Sequence, residues 1–395
     1  MSFILILGLA GFASAFATRA VDPMLTIVAS DLSVTLEQAA LLASAFTLPY
    51  AAMQLVFGPV GDAVGKIRLI RVTLIMLTLA LVACAFAPTH PLLMAGRVLS
   101  GAWAGGVIPV AMATVGDRVG FAQRPKALSR LLMAVVSGQL AGAVVSGMIA
   151  SAFGWRAVFF TGAAVALAAT VGALWGLRET APRQRLSWNG AFRRYKVVFE
   201  NPLSIRLYAV SAVEGALIFG CFPFVAAHML GQGLGNAVEA GFALGAFGCG
   251  GIVYTLVVSP LVRRLGLSGM AGVGGTCVGL CLIAISAITV LPVMLGLFVL
   301  AGFCFYMIHN TLQIMATELV PAARGSAVSL YATFFFTGQA LGALVTAHLV
   351  PLIGPAGMFI GAGCGLILLA WPASRLPLRI RAAPPGGKLP TPDAG

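Results

Sequence analysis

Few side chains in this 395-residue chain could move a proton or hold a charged ligand, and the deepest of them sit in otherwise apolar segments. Arg19 and Asp22 share one such segment, Arg97 lies in a second, Glu214 in a third, and His309 with Asn310 and Gln313 in a fourth. An ionisable group inside a hydrocarbon layer is costly, so its presence there marks a functional candidate by default. Glu214 leads. At ~1.5 Å per residue it lies roughly 15 Å into its segment, deep enough for a carboxyl that takes up and gives back a proton. A carboxyl that only packs helices is the alternative. Asp22 stands one turn beyond Arg19 and just before Pro23, which fits an interfacial ion pair and a coupling site alike. Arg97 is expected to pair with Asp22 and to be released when Asp22 takes a proton. His309 fits both a proton relay and a hydrogen-bonded structural role. Phe46, Tyr50, Trp103, Phe219, Phe222, Phe305, Tyr306 and Phe335 could wall an organic substrate, with most expected to serve packing or lipid contact.

The elements that would position these groups are membrane helices. Hydrophobic residues make up 60% of the chain and charged residues 9%, whereas about a quarter of a soluble domain is charged. A hydrocarbon layer roughly 30 Å thick takes about 20 apolar residues to cross. Twelve such segments can be read, near 3–29, 37–58, 69–88, 92–115, 127–151, 156–177, 204–229, 238–261, 269–290, 293–316, 326–350 and 356–374. The first is expected to be a retained span and not a signal peptide. The chain also repeats itself. Ser137-Gly138-Gln139-Leu140-Ala141-Gly142-Ala143-Val144-Val145 returns 200 positions on as Thr337-Gly338-Gln339-Ala340-Leu341-Gly342-Ala343-Leu344-Val345, and Arg124 falls on Arg324. Two copies of a six-helix unit are the sequence mark of a secondary transporter. The expected fold is all-α and membrane-embedded, with two pseudo-symmetric six-helix bundles at 1–178 and 204–377, a cytoplasmic linker at 179–203 and a disordered tail at 378–395.

The net charge of +13 is dealt out loop by loop. Lys66, Arg68, Arg71, Arg118, Arg124, Lys126, Arg183, Arg185, Arg193, Arg194, Lys196, Arg263, Arg264, Arg379, Arg381 and Lys388 all fall on one side. Asp31, Glu37, His90 and Glu239 fall on the other, with Arg156 as the basic exception. The positive excess predicts cytoplasmic N- and C-termini in a cell inner membrane. It forms no single patch, so anionic inner-leaflet lipid is the expected partner and nucleic acid is not. The linker, with Trp188, Phe192 and Tyr195 among its basic residues, reads either as an interfacial amphipathic helix or as a solvated connection. Cys84, Cys221, Cys249, Cys277, Cys281, Cys304 and Cys364 all lie in expected spans without metal-ligand spacing, and read as small apolar filler.

Between the second and third segments stands Gly58-Pro59-Val60-Gly61-Asp62-Ala63-Val64-Gly65-Lys66-Ile67-Arg68. It closely resembles the loop signature of the major facilitator superfamily, G-x-L-x-D-x-x-G-R-K, with the basic residues slightly displaced. A degraded echo, Ser259-Pro260-Leu261-Val262-Arg263-Arg264-Leu265-Gly266, follows the eighth segment and has Arg263 where Asp62 stood. Arg97-Val98-Leu99-Ser100-Gly101 and Gly154-Trp155-Arg156-Ala157-Val158-Phe159 extend the resemblance over most of the chain. Within the superfamily the sequence is most similar to the drug, sugar and metabolite efflux branch. Of that branch's fifth-helix antiporter motif, Gly138, Gly142 and Gly147 are present; Ala143 replaces the proline and Ser146 one glycine.

The resemblance implies that helices 1, 4, 7 and 10 line a central cavity, which places Arg19, Asp22, Arg97, Glu214, His309, Asn310 and Gln313 around substrate and proton. It also implies a conformational latch built from Gly58, Asp62, Gly65, Lys66, Arg68 and Arg118, with Asp62 reaching the start of helix 11 near Gly325 and Ser326. Gly101, Gly138, Gly142, Gly147, Gly338 and Gly342 would pack helices closely. The expected activity is proton-coupled efflux of a small organic compound by a monomer, driven by the proton gradient with no cofactor or metal. Uptake by symport or facilitation would use most of the same residues. A transport-inactive sensor or scaffold is the alternative of another class. Gly61-Asp62-Ala63-Val64-Gly65-Lys66-Ile67 is one residue short of a phosphate loop and has Ile67 where Ser or Thr is required, which disfavours ATP-driven transport. A His-Glu-x-x-His pair, a Cys/His metal cluster and a nucleophile elbow are all missing from the sequence, which disfavours an enzyme.

Overall fold

A computed structural model of the protein describes residues 3–120, 123–179, 188–320 and 323–376, and within them the chain is helical. Arg183 and Arg185 of the expected linker, and the tail 378–395 with Arg379, Arg381 and Lys388, lie outside the described residues. The helices are α1 (Phe3–Arg19), α2 (Leu25–Asp31), α3 (Leu36–Val64), α4 (Lys66–Ala85), α5 (His90–Ala104), α6 (Val107–Arg118) and α7 (Arg124–Phe153). They continue as α8 (Trp155–Gly176), α9 (Trp188–Phe199), α10 (Leu203–Phe219), α11 (Val225–Gly231), α12 (Ala237–Ile285), α13 (Leu291–Leu319) and α14 (Arg324–Ser374).

Ten stretches among the described residues are long and apolar enough to cross a membrane. Two are too long for one crossing. α12 has 49 residues and α14 has 51, and at ~1.5 Å per residue each would exceed twice a layer roughly 30 Å thick. Each contains one residue out of helical geometry, Gly266 at φ 64° and Gly354 at φ 69°, so each is two crossings joined by a turn that a side chain would strain. Ten stretches thus make the twelve spans read from the sequence. Gly65 and Gly154, also at positive φ, make the corresponding turns between α3 and α4 and between α7 and α8.

Three spans expected to be continuous are interrupted. A 3-10 turn at Asp22–Met24 breaks the first, and one at Phe222–Phe224 breaks the seventh, 200 positions on. Pro23 and Pro223 each remove a backbone donor there, so the helix cannot run through unperturbed. The fourth is divided at Gly105 and Gly106 into α5 and α6.

Close packing follows the same repeat. A Cβ at Gly138 or Gly142 of α7 would collide with the carbonyls of Phe12 and Phe16 on α1. Gly338 and Gly342 of α14 stand likewise against Ala212 and Ala216 on α10. Gly101 abuts the Phe46 carbonyl and Gly302 the Phe247 carbonyl. In lipid, where apolar burial gives little drive between helices, backbone approach of this kind is a main source of cohesion.

The halves meet along α3 with α14 and along α7 with α12. Gly147 stands against the Ala237 carbonyl, and Leu140 of α7 packs against Gly248 of α12. Ser44 of α3 donates to the Ala340 carbonyl of α14 at 2.8 Å. These contacts lie toward the end opposite the Lys- and Arg-rich loops. At the basic end Gly58 and Gly325 have open space around them. The halves thus touch through these contacts toward the far end. Beneath them α9 buries Ala191 and Val198 and leaves Trp188 and Phe192 exposed. Its Tyr195 hydroxyl, pushed above its usual range by burial, donates to the Leu55 carbonyl at 3.2 Å. Of the two readings of the linker, 188–199 is helical.

Candidate functional site

Arg19 ends α1 where the helix breaks, and this lets its side chain leave its own bundle. Its guanidinium donates to Gln339 Oε1 of α14 at 3.0 Å and lies 4.1 Å from the centroid of Phe219 and 5.3 Å from that of Phe222. Asp22, one turn on and buried, approaches Arg19 at 3.6 Å, an ion pair beyond hydrogen-bond length. Asp22 Oδ2 and Gln339 Nε2 have no hydrogen-bond partner among the described residues. Beside this cluster, between the halves, is a cavity with about 40 Å³ of room for water, which at ~10–15 Å³ per water holds a few molecules. Arg19, Gln139, Phe219, Phe222, Phe247 and Tyr306 are among its walls.

Arg97 does not pair with Asp22. It is fully buried, donates from Nε to the Leu42 carbonyl at 3.2 Å and from Nη1 to the Ala17 carbonyl at 3.1 Å, and lies 4.3 Å from the Phe46 ring centroid. Those two carbonyls belong to α3 and α1, so the side chain ties three spans of one half together. A five-donor fork can bond several main-chain carbonyls at once, an outcome that side-chain charge alone does not reveal.

The other half holds a second cluster. Glu214 of α10 is buried, and its Oε2 lies 3.3 Å from His309 Nδ1 of α13; Oε1 has no partner among the described residues. The Tyr331 hydroxyl of α14 is 3.1 Å from the same nitrogen and donates to the His309 carbonyl at 3.2 Å. Phe335 and Phe305 enclose the imidazole, with ring centroids 4.4 and 4.9 Å away. Either an Nδ1–H donates to the carboxylate or a protonated carboxyl donates to Nδ1. One contact serves both states, so a proton can change owner without side-chain movement. Asn310 is half-buried beside the Tyr254 hydroxyl, and Gln313 is exposed.

At the basic end the loop motif is held within its own half. Lys66 pairs with Asp62 at 3.3 Å and with Asp117 at 2.6 Å. Glu179 Oε2 accepts from the Ile67 and Arg68 backbone amides at 2.9 and 3.3 Å, capping α4 beside Gly65. Arg118 donates to the Arg178 carbonyl. Sequence reasoning missed Asp117, Glu179, Tyr331 and Gln339 as partners. For Gln339 the signal was its place in the repeat with Gln139; for the other three the partner is distant in sequence and marked by no spacing.

Comparison with known proteins agrees with this architecture. The family profile described as Major Facilitator Superfamily matches residues 7–321. A "Probable efflux pump mfs2" from Aspergillus flavus is 29% identical over 160 residues, covering 40% of this chain and only 38% of that protein. A "Putative uncharacterized transporter YgaY" from Escherichia coli K12 is 26% identical over 367 residues, covering 89% of this chain and 90% of that one. Among solved structures, the "nucleoside transporter NupG (D323A mutant)" superposes with a TM-score of 0.80 at 12% identity over 95% of this chain and 100% of that one, a likeness of fold. Twelve spans in two repeated halves, with a cavity between them and a profile match across most of the chain, make this protein a member of the major facilitator superfamily.

Proposed function

We propose that this transporter-family member exports a small organic compound in exchange for protons, by rocking its two halves about the cavity beside Arg19. The observation that carries the reading is the pairing of Glu214 with His309, a buried carboxyl and imidazole 3.3 Å apart with a phenol beside them and no fixed cation against the carboxyl among the described residues. That is a proton site and not a structural ion pair. The similarity to a named efflux pump supports the direction. The basic end would face the cytoplasm of a cell whose inner membrane holds the protein, as the positive-inside rule requires. Asp22 would serve as a second acidic group, and the Asp62 loop would engage α14 when the basic end closes.

The test uses proteoliposomes with an internal pH dye and imposed gradients of drugs, sugars and organic acids, comparing wild type with Glu214→Gln. Substrate-driven proton movement lost in the variant is the expected result. Substrate flux that moves no protons and is unchanged by the variant would make the protein a facilitator.

A further inference from the structure

We infer that the substrate is an anion with a flat apolar body, a carboxylate on an aromatic ring or ring system, and that Arg19 is the group that receives the carboxylate. The inference rests on the export reading above and names the substrate class for its cavity.

The polar groups that face the cavity are a guanidinium, a carboxamide and a phenol, from Arg19, Gln139 and Tyr306. All three donate hydrogen bonds, and the lining includes no carboxylate. Asp22 stands behind Arg19 and is buried. An approaching cation thus meets a guanidinium first and an anion meets three donors. Gln339 stands outside this lining, against Arg19. Arginine can only donate, so Gln339 must turn Oε1 toward it; the amide nitrogen beside that bond is left as a buried donor with no partner. An unpartnered buried donor next to a guanidinium costs free energy until an acceptor arrives.

The apolar part of the site specifies shape. Phe219 and Phe305 meet edge to face at 5.4 Å, Phe222 and Phe247 at 5.2 Å, and Phe247 lies 5.4 Å from Phe305. Two of these three pairs meet near a right angle and present edges and faces, against which another planar ring packs once the cavity, which has room here for a few waters, widens. The Arg19 guanidinium lies over Phe219, 4.1 Å from its ring centroid. The ring covers one side of the guanidinium, and the N–H groups beyond those facing Gln339 and Asp22 remain for an acceptor such as a carboxylate. The transport energetics agree. With an inside-negative potential, an anion leaving and a proton entering both move charge in the favoured sense.

The experiment is calorimetric titration of the purified full chain in lipid nanodiscs with 2-naphthoate, 2-naphthylmethylammonium and acetate. Naphthoate should bind at least about tenfold more tightly than either, the amine failing on charge and acetate on the missing ring. Arg19→Met should weaken naphthoate by about tenfold or more, with Arg19→Lys retaining part of the affinity. Because Arg19 also holds Asp22, a second variant keeps the test sound if Arg19→Met fails to fold. Gln139→Glu puts a carboxylate in the half-exposed lining and should reverse the preference toward the amine. Equal or tighter binding of the amine by wild type, or naphthoate affinity unchanged by both Arg19→Met and Gln139→Glu, would overturn the inference. Proton movement lost in Glu214→Gln together with preference for the amine would refute the substrate class and leave the export reading standing. The converse pair of results would refute proton coupling alone.

Discussion

The two halves are packed alike and charged differently. Phe12 and Phe16 meet Gly138 and Gly142 as Ala212 and Ala216 meet Gly338 and Gly342, each pair 200 residues from its counterpart. Even the caps agree: Thr35 with Gln38 and Asn236 with Glu239 form matching capping boxes at the starts of α3 and α12. At the same register Arg19 and Asp22 correspond to Phe219 and Phe222, and the guanidinium of one half lies over the rings that stand at these two positions in the other. Glu214 in turn corresponds to Ser14, which donates to the Ala104 carbonyl at 3.0 Å. Tyr331 corresponds to Leu131. The duplicated part is the scaffold, where backbone meets backbone, and the divergent part is the chemistry. One half offers cations and donors; the other offers rings and a carboxyl–imidazole pair.

The strongest way to break this comparison is at the shared seams. Gly138→Leu and Gly338→Leu each drive a side chain into a carbonyl that cannot yield, at a cost of about 3 kcal/mol or more. Both should lose monodisperse protein on fluorescence-detected gel filtration, and to a similar degree. A variant that tolerated one and not the other would show that the halves are not mechanically equivalent. Next in size is the contrast of chemistry. Glu214→Gln should reduce substrate-driven proton movement about tenfold or more, equivalent to ~1.4 kcal/mol, whereas Ser14→Ala should cost only about 1 kcal/mol of stability and leave coupling in place. Stopped-flow dye measurements on both separate the two roles. Tyr331→Phe keeps the ring and removes the hydroxyl beside His309; about 1 kcal/mol is at stake, and the pH profile of transport should shift while the melting temperature moves little. The smallest effect is at the far end, where Asp31 accepts from Arg156 at 2.6 Å and from Trp155 at 2.8 Å. Asp31→Asn should cost less than about 1 kcal/mol, because the pair is half-exposed and screened. A thermal melt checks it.

Much of the fold was legible because a membrane makes hydropathy and repetition decisive. Twelve spans, the six-plus-six repeat and the close-packing role of Gly101, Gly138, Gly142, Gly338 and Gly342 all follow from segment length and small-residue spacing. Gly147 also makes a close approach, but across the halves to Ala237. The breaks were not read, although Pro23 and Pro223 carry their signal, because apolar composition continues unchanged through Asp22–Met24 and Phe222–Phe224. The site was half legible. Burial cost picked out Arg19, Asp22, Arg97, Glu214 and His309, since each is exceptional in an apolar segment. Who bonds to whom depends on rotation of helices about their axes, which composition does not encode. Arg97 therefore found carbonyls in place of Asp22, and His309 found Glu214 and Tyr331.

The glycine-to-carbonyl seams also divide labour mechanically. Inside a half, α1 on α7 and α10 on α14 touch through main chain, with little side-chain volume to rearrange, so each half behaves as a stiff lever. Across the halves, α3 meets α14 partly through side chains such as Ser44 and through the rings of Tyr50 and Phe336, 4.8 Å apart. The second seam, α7 on α12, is again main chain, with Gly147 on the Ala237 carbonyl and Gly241 on that of Ala143, so side-chain compliance between the halves is concentrated at the α3–α14 surface. Staples placed within a half should ride through the transport cycle, and a staple across the α3–α14 bearing should arrest it.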